Sequence, residues 1–194
     1  MKKLFLSSLV LFSLAACQKD PAVLPKAPAA APASATPVPA TVAKVNTDTI
    51  PDNSAFKIKL VKDSINSDET MLSFDHLATR RYSSSNDAPY FAGFGQVSLA
   101  SVSSDGVDLA INSLPYAPGM SVGLDVHAKT DGAYQLEISY EHKMPANIQI
   151  WLKDNYKKDS INVCLKKYAF NVVKADTNSF GSKRFRLILK DANH

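Results

Sequence analysis

The chain has 194 residues, 45% of them hydrophobic and 21% charged, with a formal charge of +4. That charge sits at one end: five basic residues and one acid precede Thr47, leaving 17 of each from there on. A body of zero net charge lacks the electrostatic footprint of a nucleic-acid-binding protein, so no nucleic-acid partner is expected.

Met1-Lys2-Lys3 is a short basic start, and Leu4 to Ala16 is an apolar run softened only by serines. The run is shorter than the ~20 residues a membrane-spanning helix needs. Basic flank, short apolar core and small residues before a cut mark a secretory signal, here residues 1–16. Leu14-Ala15-Ala16-Cys17 resembles a lipobox, which implies a diacylglyceryl group on Cys17 and cleavage just before it. An ordinary signal with an incidental cysteine is the alternative. Several acyl chains on one residue anchor stably, whereas one alone is marginal. Gln18, rather than aspartate, follows the cysteine. By resemblance to enterobacterial lipoproteins, this points to the outer membrane.

Residues 17–53 form the expected tether, with prolines at 21, 25, 28, 32, 37 and 39 and alanine between most of them. Without aromatic residues or hydrophobic periodicity, such a segment cannot offset its chain entropy by burial and favours extended polyproline II conformations.

The remainder, 54–194, has the size of one domain. Period-two alternation predicts strands at Phe56–Val61, Met71–Phe74, Gln96–Val102, Val107–Leu114, Ser121–Ala128, Ala133–Tyr140, Asn147–Lys153, Tyr168–Val173 and Phe185–Leu189. Asp105-Gly106 and Asp131-Gly132 each separate two such runs and predict β-hairpins. Pro115, Pro118 and Pro145 fall in connections, and no long amphipathic helix is visible. The expected fold is all-β, an antiparallel β-sandwich of Ig-like or jelly-roll-like type.

The order of segments resembles a known module. Asp68-Glu69-Thr70, Phe74-Asp75, Ala78-Thr79 and Asn86-Asp87-Ala88 precede Val107-Asp108-Leu109-Ala110-Ile111-Asn112-Ser113-Leu114-Pro115. Ser121-Val122-Gly123-Leu124, Asp131-Gly132-Ala133-Tyr134-Gln135-Leu136 and Ile150-Trp151-Leu152-Lys153-Asp154 follow, then Tyr168-Ala169-Phe170 and Arg184-Phe185-Arg186-Leu187. Over residues 66–190 this is similar to the β-sandwich module that precedes the C-terminal sorting domain in Bacteroidetes type IX-secreted proteins. The resemblance implies a surface or secreted accessory module, often in adhesin-like proteins, and carries no catalytic residues. The chain departs from that family in its lipobox, and no sorting domain is expected beyond His194.

Candidate sites are few. Trp151 falls on the polar side of its strand with Gln149 and Lys153, either to stack a sugar or to pack under a loop or helix. Asp48-Thr49-Ile50, Asp63-Ser64-Ile65 and Asp159-Ser160-Ile161 fit a Bacteroidetes O-glycosylation pattern, making Thr49, Ser64 and Ser160 candidate acceptors; plain turns are the other reading. Ser83-Ser84-Ser85-Asn86-Asp87 is either a Ca²⁺ loop or a plain polar loop. Gly93-Phe94-Gly95 reads as a bend. Cys164 lies in the apolar stretch Ile161–Leu165, so a buried structural thiol is expected, with an intermolecular disulfide as the alternative. His76, His127, His142 and His194 show no metal-ligand spacing, so no metal and no cofactor are expected. No nucleophile elbow, phosphate loop or dinucleotide fingerprint occurs. The expected protein is therefore a non-catalytic lipoprotein of the outer membrane, facing the cell surface, with a protein or glycan partner in an adhesion-type role. The rival expectations are a carbohydrate-binding accessory lipoprotein and a periplasmic envelope scaffold.

Overall fold

The computed structural model describes residues 50–192. The signal sequence, Cys17, most of the tether and Thr49 lie outside the described residues. The chain parts into two units between Ala43 and Lys44, and all that is described belongs to the second.

In chain order the strands are β1 (Ser54–Val61), β2 (Ser67–Phe74), β3 (Ala88–Pro89), β4 (Val97–Val102), β5 (Asp108–Leu114) and β6 (Ser121–Ala128). Then come β7 (Gly132–His142), β8 (Ile148–Asp154), β9 (Asp159–Asn162), β10 (Tyr168–Val172) and β11 (Phe185–Asp191). A 3₁₀ turn, Thr177–Ser179, precedes β11. The all-β expectation holds. The strands form one continuous sheet of order β10-β7-β1-β2-β5-β4-β6-β11-β8-β9, with the short β3 laid against β5. Every pairing among the described residues is antiparallel except β2 with β5, so the sheet is mixed rather than purely antiparallel.

The sheet curls almost into a barrel, so its two halves face each other across one core. Phe170 of β10 meets Phe185 of β11 edge-on, with ring centroids 4.8 Å apart. Such contacts between strands far apart in the sheet order require the curl. Alternate residues point inward as the pleat demands: Phe56, Ile58 and Leu60 of β1, Val122, Leu124 and Val126 of β6, and Phe185, Leu187 and Leu189 of β11.

The two Asp-Gly turns behave differently. Asp105-Gly106 closes the β4–β5 hairpin, with Ser103 N donating to Val107 O at 3.0 Å and Gly106 at φ +86°. Asp131-Gly132 does not make a hairpin. Both edges of β6 are taken by β4 and β11, and both edges of β7 by β1 and β10. Gly132 adopts positive φ there, at +130°. The turn instead passes the chain between halves of the sheet, and Asp131 Oδ1 accepts the Lys174 N–H.

Where the sheet would otherwise gape, Arg184 fastens it. Its Nε and Nη2 donate to the Asp154 carboxylate at the end of β8, and its Nη1 donates to Asn171 O of β10 at 2.9 Å and to Ser179 O. The guanidinium lies 4.7 Å from the ring centroids of both Phe170 and Phe185. Tyr168 of β10 also donates to Asp154 Oδ2, at 3.0 Å. One buried ion pair thus joins β8, β10, β11 and the 3₁₀ turn.

Candidate ligand-binding face

The period-two alternation of β8 buries Ile148, Ile150, Leu152 and Asp154 and turns Gln149, Trp151 and Lys153 outward. Register with the next strand extends the face: Trp151 lies opposite Ile188, Lys153 opposite Arg186, and Gln149 opposite Lys190. One strand further, Ile188 lies opposite Ser121 and Arg186 opposite Gly123. Trp151, Arg186 and Gly123 therefore share one outer surface, crossed in two strand spacings of about 4.8 Å each.

Trp151 is half-buried, and its polar contacts are with residues of its own face. Its indole N–H donates to Gln149 Oε1 at 2.9 Å, which fixes the ring's orientation. Lys190 Nζ sits over the ring, 4.4 Å from its centroid, a cation–π contact that occupies one face of the indole. The position is compatible with both readings of this residue: the ring stands on the outer face of the sheet, and Lys190 packs over it.

Beside this platform, a cleft of about 430 Å³ opens between Arg80 and Arg186. Ser103, Ser104, Ser121 and Gly123 contribute to its wall and floor. Gly123 lies against Val102: a Cβ there would meet Val102 Cβ at 3.5 Å, an ordinary contact. The sequence offered no signal for this cleft, because Arg80 and Arg186 are far apart in the chain and meet only through the sheet order.

The other candidates resolve individually. Ser64 is exposed in the β1–β2 turn, where Asp63 Oδ1 accepts the N–H groups of Ile65 and Asn66 at 3.0 and 2.9 Å. Ser160 is exposed on β9, opposite Lys153 and next to the Trp151 face. Both serines are exposed, and Ser64 satisfies the turn reading. In the Ser83–Asp87 loop the Asp87 carboxylate is taken by the Ser83 and Ser113 N–H groups at 2.7 and 2.8 Å, so it ties the loop's backbone to β5. Gly93–Gly95 forms an exposed bend that carries Phe94 fully into solvent.

Cys164 departs from expectation. It is exposed rather than buried, because β9 ends at Asn162 and the chain turns, giving the inward place to Val163. Its sulfur still rests against the sheet edge and accepts the Ile150 N–H at 3.4 Å. Burial of the sulfur, the main cause, pushes the thiol pKa up, and Glu141 nearby adds to it.

Two ionisable groupings were not visible in the sequence. Asp52, Asp75 and His76 bring ligand-type atoms together near the start of β1, with His76 Nδ1 2.5 Å from Asp52 Oδ2. They are largely open to solvent, and Asp52 Oδ1 is occupied by the His76 N–H and Asp75 Oδ1 by the Leu77 N–H. Asp108 and Asp125 approach each other on the outer side of the sheet, with His127 Nε2 2.9 Å from Asp125 Oδ2. Burial first, and the Asp125 charge second, raise the Asp108 pKa. Tyr90 is pushed up to about 12 by burial and by its hydrogen bond to Asp68, at 2.5 Å, which pins β3 to β2.

No family model matches the chain, no curated protein matches it, and no solved structure matches it.

Proposed function

We propose that this protein is a non-catalytic binding lipoprotein of the outer membrane, held by lipid on Cys17 and presenting a glycan-binding sheet face to the cell surface. The observation that carries the reading is Trp151: a partly exposed indole, oriented by Gln149, on the outer face of the sheet next to an open cleft that arginine and serine side chains help to line. Sugars are bound by stacking their apolar faces on such rings while polar neighbours take the hydroxyls. The two strongly raised hydroxyls, Tyr90 and Tyr168, donate to Asp68 and Asp154 inside the fold, which supports a binding rather than a catalytic role.

A glycan panel tests the reading. Trp151→Ala should abolish binding while the fold, followed by circular dichroism and thermal unfolding, persists; a wild-type protein that binds nothing on a broad panel removes the glycan role. Cys17→Ala should release the protein from membranes, and continued membrane association would exclude the anchor. Protease shaving of intact cells should remove the domain without lysis, and full protection would place it in the periplasm as a scaffold.

An adhesive protein contact is a second reading, favoured by the tips of the domain. Ile65, Phe91 and Phe94 are exposed at 88%, 84% and 102%. Lys62 reaching Thr130 and Lys129 reaching Phe94 O tie their loops together at one end. Ile50, the first described residue, lies at the other end of β1, about 25 Å away for eight residues of strand. Apolar side chains gathered at one end of the domain suit a protein partner. Phe91→Ser with Phe94→Ser should then abolish cell–cell aggregation and leave glycan binding intact; unchanged aggregation would remove this reading.

A further inference from the structure

We propose that the cleft between Arg80 and Arg186 takes the acidic group of a saccharide, a uronate carboxylate or a sulfate ester, so that the ligand of the Trp151 face is an anionic glycan. This rests on the glycan reading above and names its substrate class. Both arginines line the cleft, and neither has a carboxylate partner among the described residues. No Asp or Glu side chain lines it. The contrast with the remaining arginines is direct: Arg184 is buried on Asp154, and Arg81 reaches Asp105 at 3.6 Å. An arginine fork matches carboxylate and sulfate geometry with two parallel hydrogen bonds and is only weakly hydrated, so two such forks across one cleft favour an oxyanion over water.

The hydroxyls complete the site. Ser103 is committed to Asp105 and to the Val107 N–H, at 2.7 and 2.9 Å. Ser104 and Ser121 line the same cleft and have no side-chain hydrogen bond among the described residues. Gly123 also lines the cleft. Because Arg186 is one strand from Lys153 and the Trp151 row, a sugar ring stacked on Trp151 and an acidic group between the arginines lie about 10 Å apart. That span suits neighbouring units of one saccharide chain. Lys190 and Lys153 on the same face add attraction for a polyanion.

Affinity electrophoresis of the detergent-solubilised full chain tests this with polygalacturonate, the same polymer after carboxyl reduction, dextran sulfate and neutral dextran. Polygalacturonate or dextran sulfate should retard the protein, and which of the two does so separates carboxylate from sulfate. Carboxyl reduction, Arg80→Gln with Arg186→Gln, and Gly123→Val should each weaken binding at least about tenfold, the scale of one lost charge-assisted pair. Equal binding to the reduced polymer that survives the arginine changes but not Trp151→Ala overturns the anionic cleft and leaves the glycan face standing. Binding lost in salt yet indifferent to both Trp151→Ala and Gly123→Val overturns it as mere polyelectrolyte attraction. No binding to any polymer, on a wider glycan panel as well, overturns both.

Discussion

Arg184 and Asp154 form an ion pair, 2.8 Å between Nη2 and Oδ2, in which neither side chain reaches solvent. Burying both charges is costly, and the pair is tolerated because its hydrogen bonds are filled from several directions. Asp154 also accepts the N–H groups of Tyr156 and Lys157 at 2.9 and 3.1 Å. Removing one partner strands the other. Arg184→Met or Asp154→Leu alone should therefore cost about 3–5 kcal/mol, read as a fall in the urea midpoint. The double substitution should cost markedly less than the two singles together. Additive losses would show that the two residues act separately.

This pair also gives physical content to part of the sequence pattern. Asp154 closes the Ile150–Asp154 segment, Tyr168 and Phe170 belong to the next run, and Arg184-Phe185 opens the last; Asp154, Phe170 and Phe185 surround the Arg184 guanidinium, and Tyr168 is bonded to Asp154. Strand positions were legible because each strand has one wet and one buried face, which writes period two into the sequence. What could not be read was partner choice. The parallel β2–β5 pairing and the absent hairpin at Asp131-Gly132 are decided by which edges other strands have already filled. Trp151 was legible from alternation within its own strand. The Arg80–Arg186 cleft was not, since the register across β4, β6 and β11 brings it together. Ala88–Pro89 and Asp159–Asn162 are too short and polar to announce themselves as strands.

The clamp predicts an acid-sensitive stability. Burial works to raise the Asp154 pKa, but hydrogen bonds from Arg184 and Lys157 and the arginine charge outweigh it and hold the pKa below the ordinary carboxylate value. A depressed pKa contributes stability that is present above the unfolded value of about 3.9 and is lost as pH falls through the folded one. Urea midpoints measured from pH 7 to pH 2 should therefore fall steeply below about pH 4. Asp154→Asn should lower the midpoint at pH 7 and flatten that acid limb. An unchanged limb would assign the acid transition to other carboxylates.

Asp108 runs the opposite way. Its pKa is raised, by burial and then by Asp125. The folded state thus holds the proton more tightly than the unfolded chain, and stability declines as pH rises from the unfolded pKa through the folded one. Above that window the ionised carboxylate is a liability. Asp108→Asn keeps the shape and removes the charge, so it should raise the melting temperature by a few degrees at pH 7 and by less at pH 4. A lower melting temperature at pH 7 would mean that the carboxylate makes a favourable contact.

Cys164 offers a reading of local order at the β8–β9 edge. The residue is exposed, yet its sulfur is held against Ile150 N and its pKa is raised, first by burial. The thiolate is the reactive form, so a raised pKa slows alkylation even where the reagent has access. In a Cys17→Ala chain, where Cys164 is the sole cysteine, maleimide should label the folded protein completely without denaturant. The rate at pH 7 should be below that of free cysteine, climb as pH passes the ordinary thiol range, and reach the free value in urea. Labelling only after unfolding would put the thiol in the core and restore the buried position inferred from Ile161–Leu165. Labelling as fast as free cysteine at pH 7 would mean that the edge around Ile150 opens readily, and hydrogen exchange at the Ile150 amide would then be fast as well.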